Sequence, residues 1–261
     1  MNGAAFDLQL LQWPFVAGLI VLATHVPLGR RVLARGIIFL DLAIAQIAVL
    51  GVIVAHILGW QTQGWQTQLA ATAAALAGAA FLSRCEARWP EIQEALIGST
   101  FAVAASLAVL LLSGDPHGGE HLNELLAGQI LWVVPADLTQ IAVLYVLLLG
   151  FWWKLGDRLG RMGFYMIFAL AITASVQLIG VYLVFASLIL PALAVRERST
   201  RTGLLIGWGL GALAYATGLA ASALFDWPAG PAIVMALAVA ALLGARVLRL
   251  PGRGDSASIP H

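Results

Sequence analysis

Nine apolar segments, at 12–29, 37–58, 66–83, 95–112, 136–153, 164–180, 181–195, 203–224 and 231–248, alternate with short polar stretches along the chain. Most come close to the ~20 residues that carry an α-helix across a bilayer core. A barrel strand would instead alternate in polarity over about 10 residues. Helices and closed barrels are the backbones that satisfy their own polar groups in lipid. The pattern therefore predicts an all-α fold: a polytopic integral membrane helical bundle of about 8–9 transmembrane segments. A further apolar stretch, 124–134, is too brief to cross alone.

The stretch 164–195 is the one irregular part of this pattern. It must enter and return in 32 residues, whereas two straight crossings need about 40. A full helix followed by a short or broken one is expected, with Gly180 at the turn and Pro191 inside the second piece. Broken helices persist in a membrane only where protein or a cavity covers the freed backbone groups. The break is thus expected to face the interior.

Composition agrees, with 61% hydrophobic residues, 10% charged and a mean hydropathy of +0.92. Charge adds orientation. If all nine segments cross, the loops at 30–36, 84–94, 154–163 and 196–202 and the tail from 246 share one side, and they hold all 14 basic residues. The positive-inside rule makes that side cytoplasmic, so the N-terminus is placed outside and the C-terminus in the cytoplasm. A single transmembrane domain is expected over 1–250, with a flexible cytoplasmic tail over 251–261. No cleavable signal peptide is expected, since residues 1–12 carry no Lys or Arg. The net charge of +1 gives no support to nucleic-acid binding.

Two groups of polar residues could carry chemistry. The first lies inside apolar helices. Asp41 and Gln46 interrupt GIIFLDLAIAQIAVLGVIVAHILGW (36–60), and His25 sits near the inner end of the first segment. A carboxylate costs about 2.5–3.5 kcal/mol at a helix centre on insertion scales, and intramembrane ionisable groups face a bundle interior or a wet cavity. Pairing of Asp41 with Arg31 or Arg35 at the interface is the structural alternative. Five residues separate Asp41 from Gln46, which sets them about 140° apart around the helix. His56, at the other end of this segment, reads as a hydrogen-bonded structural histidine, and Gln177 as a bridge between helices.

The second group is the outer loop SGDPHGGEHLNE (113–124). His117, Glu120 and His121, with Asp115 nearby, are nitrogen and oxygen donors suited to zinc, manganese or iron. A solvated loop with incidental histidines is the alternative. The chain contains no G-x-x-x-x-G-K-[ST], and its only lysine is Lys154 in FWWKLG, so it has no P-loop for ATP. It has one cysteine, Cys85, and no C-x-x-C, which argues against copper(I) handling. It also lacks H-E-x-x-H and a nucleophile elbow, leaving an intramembrane hydrolase without support.

Several blocks, in order, resemble one family. These are HVPLGRRVLARGIIFLDLAIAQIAVLG (25–51), EIQEALIGSTFAVAASLAVLLLS (91–113), HLNELLAGQILWV (121–133), SVQLIGVYLVFASLILPALAVR (175–196) and DWPAGPAIV (226–234). Together they are similar to the permease subunit of metal-ion ABC transporters, which import zinc, manganese or iron across the bacterial inner membrane. The resemblance implies a multi-pass homodimer with a pathway along the dimer axis. It also implies a cytoplasmic ATPase subunit that hydrolyses ATP, and a periplasmic or extracellular metal-binding protein. The chain itself is then no enzyme and holds no permanent cofactor, the divalent metal being cargo. Loops 154–163 and 196–202 become the candidates for gripping the ATPase.

The resemblance is incomplete at the second helix. Many family members carry Asp-x-x-x-His there, and an ungapped match on Leu50-Gly51 puts Leu42 and Gln46 at those positions. Asp41 falls one place early, and an amide is a poor zinc ligand beside an imidazole. Asp41 is then expected to act as a partly hydrated cation relay near the inner exit, with His25. The alternatives are import of another small solute such as a chelated metal, a secondary carrier coupled through Asp41, and a scaffold without transport.

Overall fold

A computed structural model describes residues 8–61, 64–155, 158 and 160–249, and they form ten α-helices and two short 3-10 turns. These are α1 (Leu8–Arg35), α2 (Leu40–Ile57), α3 (Trp65–Arg88), α4 (Gln93–Leu112) and α5 (Gly118–Ala127), then α6 (Pro135–Leu155), α7 (Gly160–Ile179), α8 (Val181–Ala194), α9 (Thr200–Phe225) and α10 (Ala229–Arg249). Seven helices are long and apolar enough to cross a membrane. The fourteen-residue α8 is shorter. At 24 residues α3 is long enough, but Gln66, Gln68, Arg84, Glu86 and Arg88 dilute its hydropathy. The expected tail, 251–261, lies outside the described residues.

Close helix packing here depends on small residues, as it must where lipid is as apolar as the core. Helix α9 lies against α1 in a four-residue register. Gly203 faces Arg30, Gly207 faces Val26 and Gly211 faces Leu22, and then the sizes reverse, with the Tyr215 ring over Gly18. Each of those pairs steps by one helical turn on both helices, in opposite directions, so the seam is antiparallel. Trp208 closes its flank by donating its indole N–H to the Leu22 carbonyl at 3.0 Å. Helices α2 and α3 pack in the same manner through Gly51 and Gly78.

The expected break at Gly180 is present. Helix α7 ends at Ile179 and α8 starts at Val181, with Pro191 inside α8. Gly180 has φ 79° and ψ 163°, a region that only glycine adopts freely. Directly against it lies Gly128, just past α5, with φ 76° and ψ 167°. A Cβ on Gly128 would come within 2.1 Å of the Ile179 carbonyl oxygen, and one on Gly180 within 2.3 Å of the Gly128 nitrogen. Two backbone breaks therefore touch directly, which covers the freed groups inside the protein as a broken membrane helix requires.

The interior polar side chains mostly pair. Tyr145 shares its hydroxyl with Ser175, which also donates to the Ala171 carbonyl at 2.7 Å. Ser187 meets Tyr215 at 2.8 Å. The amide nitrogen of Gln177, expected to bridge helices, has no partner among the described residues.

The basic loops gather at one end of the bundle. The Arg30 guanidinium donates to the carbonyls of Val195 and Arg198, each at 2.9 Å. Arg161 lies 3.2 Å from Glu86, and Arg35 stacks over the Phe164 ring at 4.2 Å. Gln93 donates to the Tyr165 hydroxyl at 2.7 Å. Helix α2 begins at this end and α5 lies at the other, so α2 spans the distance between them.

Candidate functional site

Helix α2 carries a polar group at each end. Its first turn holds Asp41, which is fully buried, with neither carboxylate oxygen hydrogen-bonded among the described residues. No arginine among the described residues pairs with it, so the interfacial pairing with Arg31 or Arg35 is not what the structure has. Arg35 turns instead to Phe164, and Arg31 to the Trp152 ring. What faces the carboxylate is the N-terminus of its own helix. Phe39, the N-cap, supplies no side-chain cap, and unsatisfied N–H groups with the helix dipole favour a negative charge there, by up to ~2 kcal/mol when partly buried. Glu94 of α4 tethers the approach to this turn by accepting the Ile38 N–H at 2.7 Å.

Neither expected companion of Asp41 is hydrogen-bonded to it among the described residues. His25 is fully buried on α1. Its Nδ1 lies 3.1 Å from the Thr24 hydroxyl, while its Nε2 has no partner. Helix α1 packs chiefly on α8 and α9, and α2 chiefly on α3 and α4. Gln46 looks into a cavity of about 540 Å³ lined by α2, α4, α5, α8 and α10. Leu42, Phe101, Leu122, Leu126 and Phe185 line it with Gln46, so the amide is nearly alone among apolar side chains. The 140° offset between Asp41 and Gln46 explains why they do not meet.

At the far end of α2, a group of ligand-bearing side chains does converge. Imidazoles from His56 and His121 and the carboxylate of Asp115 bring one ligating atom each to within 4.8 Å of one another. His56 Nε2 is 3.4 Å from Asp115 Oδ2. The rings of His56 and His121 are 5.0 Å apart, inclined at 54°. The chain reaches this arrangement through a tight reversal between α4 and α5. Asp115 N–H donates to the Leu112 carbonyl and Gly118 N–H to the Asp115 carbonyl, each at 3.0 Å. Gly118 sits so close that a Cβ would come within 2.4 Å of the Leu112 carbonyl oxygen.

Asp115 is oriented from behind. The His117 backbone N–H donates to its Oδ1 at 2.9 Å, leaving Oδ2 toward His56. That bond, with a smaller contribution from His56, holds the Asp115 carboxyl below the usual carboxylate range. Of the loop residues read from sequence, His121 joins the group and Asp115 completes it. The side chains of His117 and Glu120 are exposed and lie outside it. His56, which by sequence reads as a structural histidine, lies with them, at the membrane face where the side assignment puts the 113–124 loop.

The chain matches the ABC 3 transport family over residues 7–155 and 154–247. It belongs to that family. A protein of Chlamydia pneumoniae named as a probable metal transport system membrane protein is 26% identical over 184 residues, 61% of this chain and 63% of that relative. The chain thus spans less than two thirds of that curated relative's length. PsaBC from Streptococcus pneumoniae, solved in complex with Fab, has the same fold, with a TM-score of 0.71 at 22% identity, over 95% of this chain and 96% of that one. In this ABC 3 family protein, a multi-pass membrane protein, Asp41 and His56 stand about 22 Å apart along α2 at 1.5 Å per residue.

Proposed function

We propose that this chain is the permease of an ATP-binding-cassette importer for divalent metal ions in the bacterial inner membrane, with zinc the favoured cargo. It works as a homodimer, with ATP hydrolysis on a cytoplasmic ATPase subunit and cargo delivered by a periplasmic or extracellular metal-binding protein. The observation that carries the reading is the family match through both parts of the chain. The metal transport name of the Chlamydia relative supports the class of cargo. A chain without a P-loop needs ATP to be spent elsewhere.

The chemistry of the polar residues supports a cation. Asp41 is a buried carboxyl at a helix start with no cationic side chain paired to it among the described residues, so a passing cation would meet an uncommitted oxygen ligand. Imidazole and carboxylate donors without a cysteine or methionine cluster suit zinc, manganese or iron. Zinc is favoured because histidine supplies two of the three donors near the 113–124 loop. The buried Asp41 also keeps open a cation-coupled secondary carrier.

Metal uptake into vesicles containing the complete transporter tests the reading. Uptake is expected to require ATP, to stop with vanadate, and to be competed most strongly by zinc in a zinc, manganese and iron series. Asp41→Asn should lower it by at least about 10-fold, taking the loss of one charge contact as worth ~1.4 kcal/mol or more. Uptake that continues in vanadate would favour the secondary carrier.

A further inference from the structure

We propose that His56, Asp115 and His121 form a divalent transition-metal site at the non-basic end of the bundle, where the cargo cation is first captured before it enters the protein. Binding by these three residues stands on their geometry; the capture role rests on the metal-import reading above.

The spacing fits a small cation. Ligand atoms on a tetrahedral zinc centre with arms of about 2.0–2.2 Å lie about 3.3–3.6 Å apart. His56 Nε2 and Asp115 Oδ2 are already at 3.4 Å. All three ligating atoms fall within 4.8 Å of one another, so the remaining edges need close by no more than about 1.5 Å. The His56–Asp115 contact accounts for two of the groups, and leaves the second imidazole packed beside the first at an ordinary ring separation of 5.0 Å. A shared cation accounts for all three.

Both the support and the openness of the site fit capture. The His117 N–H on Oδ1 fixes the carboxylate from the outside, the kind of second contact that orients a metal ligand. Three protein donors leave a fourth position for water or for a donor from another molecule, as in sites where ligands exchange. The His56 side chain is 40% exposed and that of Asp115 26%, so a cation handed over at this face can reach them. The donors come from the end of α2, the α4–α5 reversal and α5. Binding would therefore fasten α5 to α2. On α5, His121 is followed by Leu122, which lines the cavity that Gln46 also faces. A cation held by His121 would lie one residue from that wall, at the start of a route along α2.

The test uses tag-free full-length protein in lipid nanodiscs, titrated with cobalt(II) and followed by the visible absorption of low-symmetry cobalt. One cobalt per chain is expected. His56→Ala and His121→Ala should each weaken it by at least about 10-fold, while His117→Ala, which keeps the backbone N–H on Asp115, should leave the titration in place. Asp115→Asn serves where an alanine variant fails to fold, and should also weaken it. Titrations that are the same in wild type and in all three ligand variants would overturn the site. The capture role is read separately, in vesicles with the complete transporter. His56→Ala should reduce uptake several-fold at scarce zinc and leave it near normal when zinc is abundant. Weakened cobalt binding with unchanged uptake at every zinc concentration would overturn capture. Absence of metal uptake by the wild type would overturn the import reading, and capture with it, and the cobalt titration would still report on the site.

Discussion

Replacing Gly180 by alanine adds one methyl group at the point where two backbone breaks touch. Two costs follow from the geometry. With φ 79° and ψ 163°, the residue is in a region nearly closed to side chains, a strain of about 1–3 kcal/mol. The new Cβ would also stand 2.3 Å from the Gly128 nitrogen and 2.6 Å from its Cα. Those are backbone atoms with no rotamer to change, so α5 or α8 must move, at the ~1–3 kcal/mol typical of overpacking. The sum is about 2–6 kcal/mol. At about 2–4 °C per kcal/mol, the scaling for chains of similar length, the midpoint should fall by at least ~4 °C. Thermal melting of purified protein in lipid nanodiscs measures this. Gly128→Ala should behave alike, because its Cβ would meet the Ile179 carbonyl oxygen at 2.1 Å. Gly98→Ala and Gly209→Ala are the controls, since nothing lies within 4 Å of a Cβ at either. A Gly180→Ala protein that melts with the wild type, while remaining folded and dimeric or monomeric as before, would refute the argument.

Arg30→Ala removes two charged hydrogen bonds that hold the 195–198 turn against α1. One of the two is exposed, so the loss is about 1–3 kcal/mol. Limited trypsin digestion should then cut faster at Arg196, Arg198 or Arg201, and Arg30→Lys should rescue only part, because an ammonium cannot fork to two carbonyls. Equal cutting in all three proteins would show that the turn does not depend on Arg30. Cobalt binding at His56, Asp115 and His121 should weaken as pH falls from about 8 to about 5, because metal ligands must be free of protons to bind. The sign for Asp115 differs. Its carboxyl is held below the usual range by the His117 N–H, so it stays ionised across that interval, and its own contribution is lost only at still lower pH. A cobalt affinity independent of pH over that range would contradict this assignment of donors.

Much of this protein is written in local pattern. Apolar run length and the cost of unpaired backbone in lipid dictate helices, and both are properties of a segment by itself. The sharing of 164–195 between a full and a short helix, broken at Gly180, follows from the same arithmetic. The gathering of arginines at one end follows from which loops alternate along the chain. Local pattern also placed Asp41 in the interior, since a short carboxylate cannot reach the interface as an arginine can.

What the tertiary structure decided is which segments meet. That Gly128 is the partner of Gly180 depends on α5 folding back beneath α8, and no periodicity records it. The same holds for the donors at the far end of α2. Sequence put His117, Glu120 and His121 together because they are neighbours in the 113–124 loop, but a ten-residue helix fans its side chains around its axis and exposes Glu120. The reversal at 112–118, made possible by Gly118 against the Leu112 carbonyl, turns Asp115 and His121 toward the end of α2. There they find His56, about sixty residues earlier in the chain, which alone reads as an ordinary structural histidine. Helix formation is settled within a segment, whereas a ligand set is settled by loop closure and helix packing, and those act between segments.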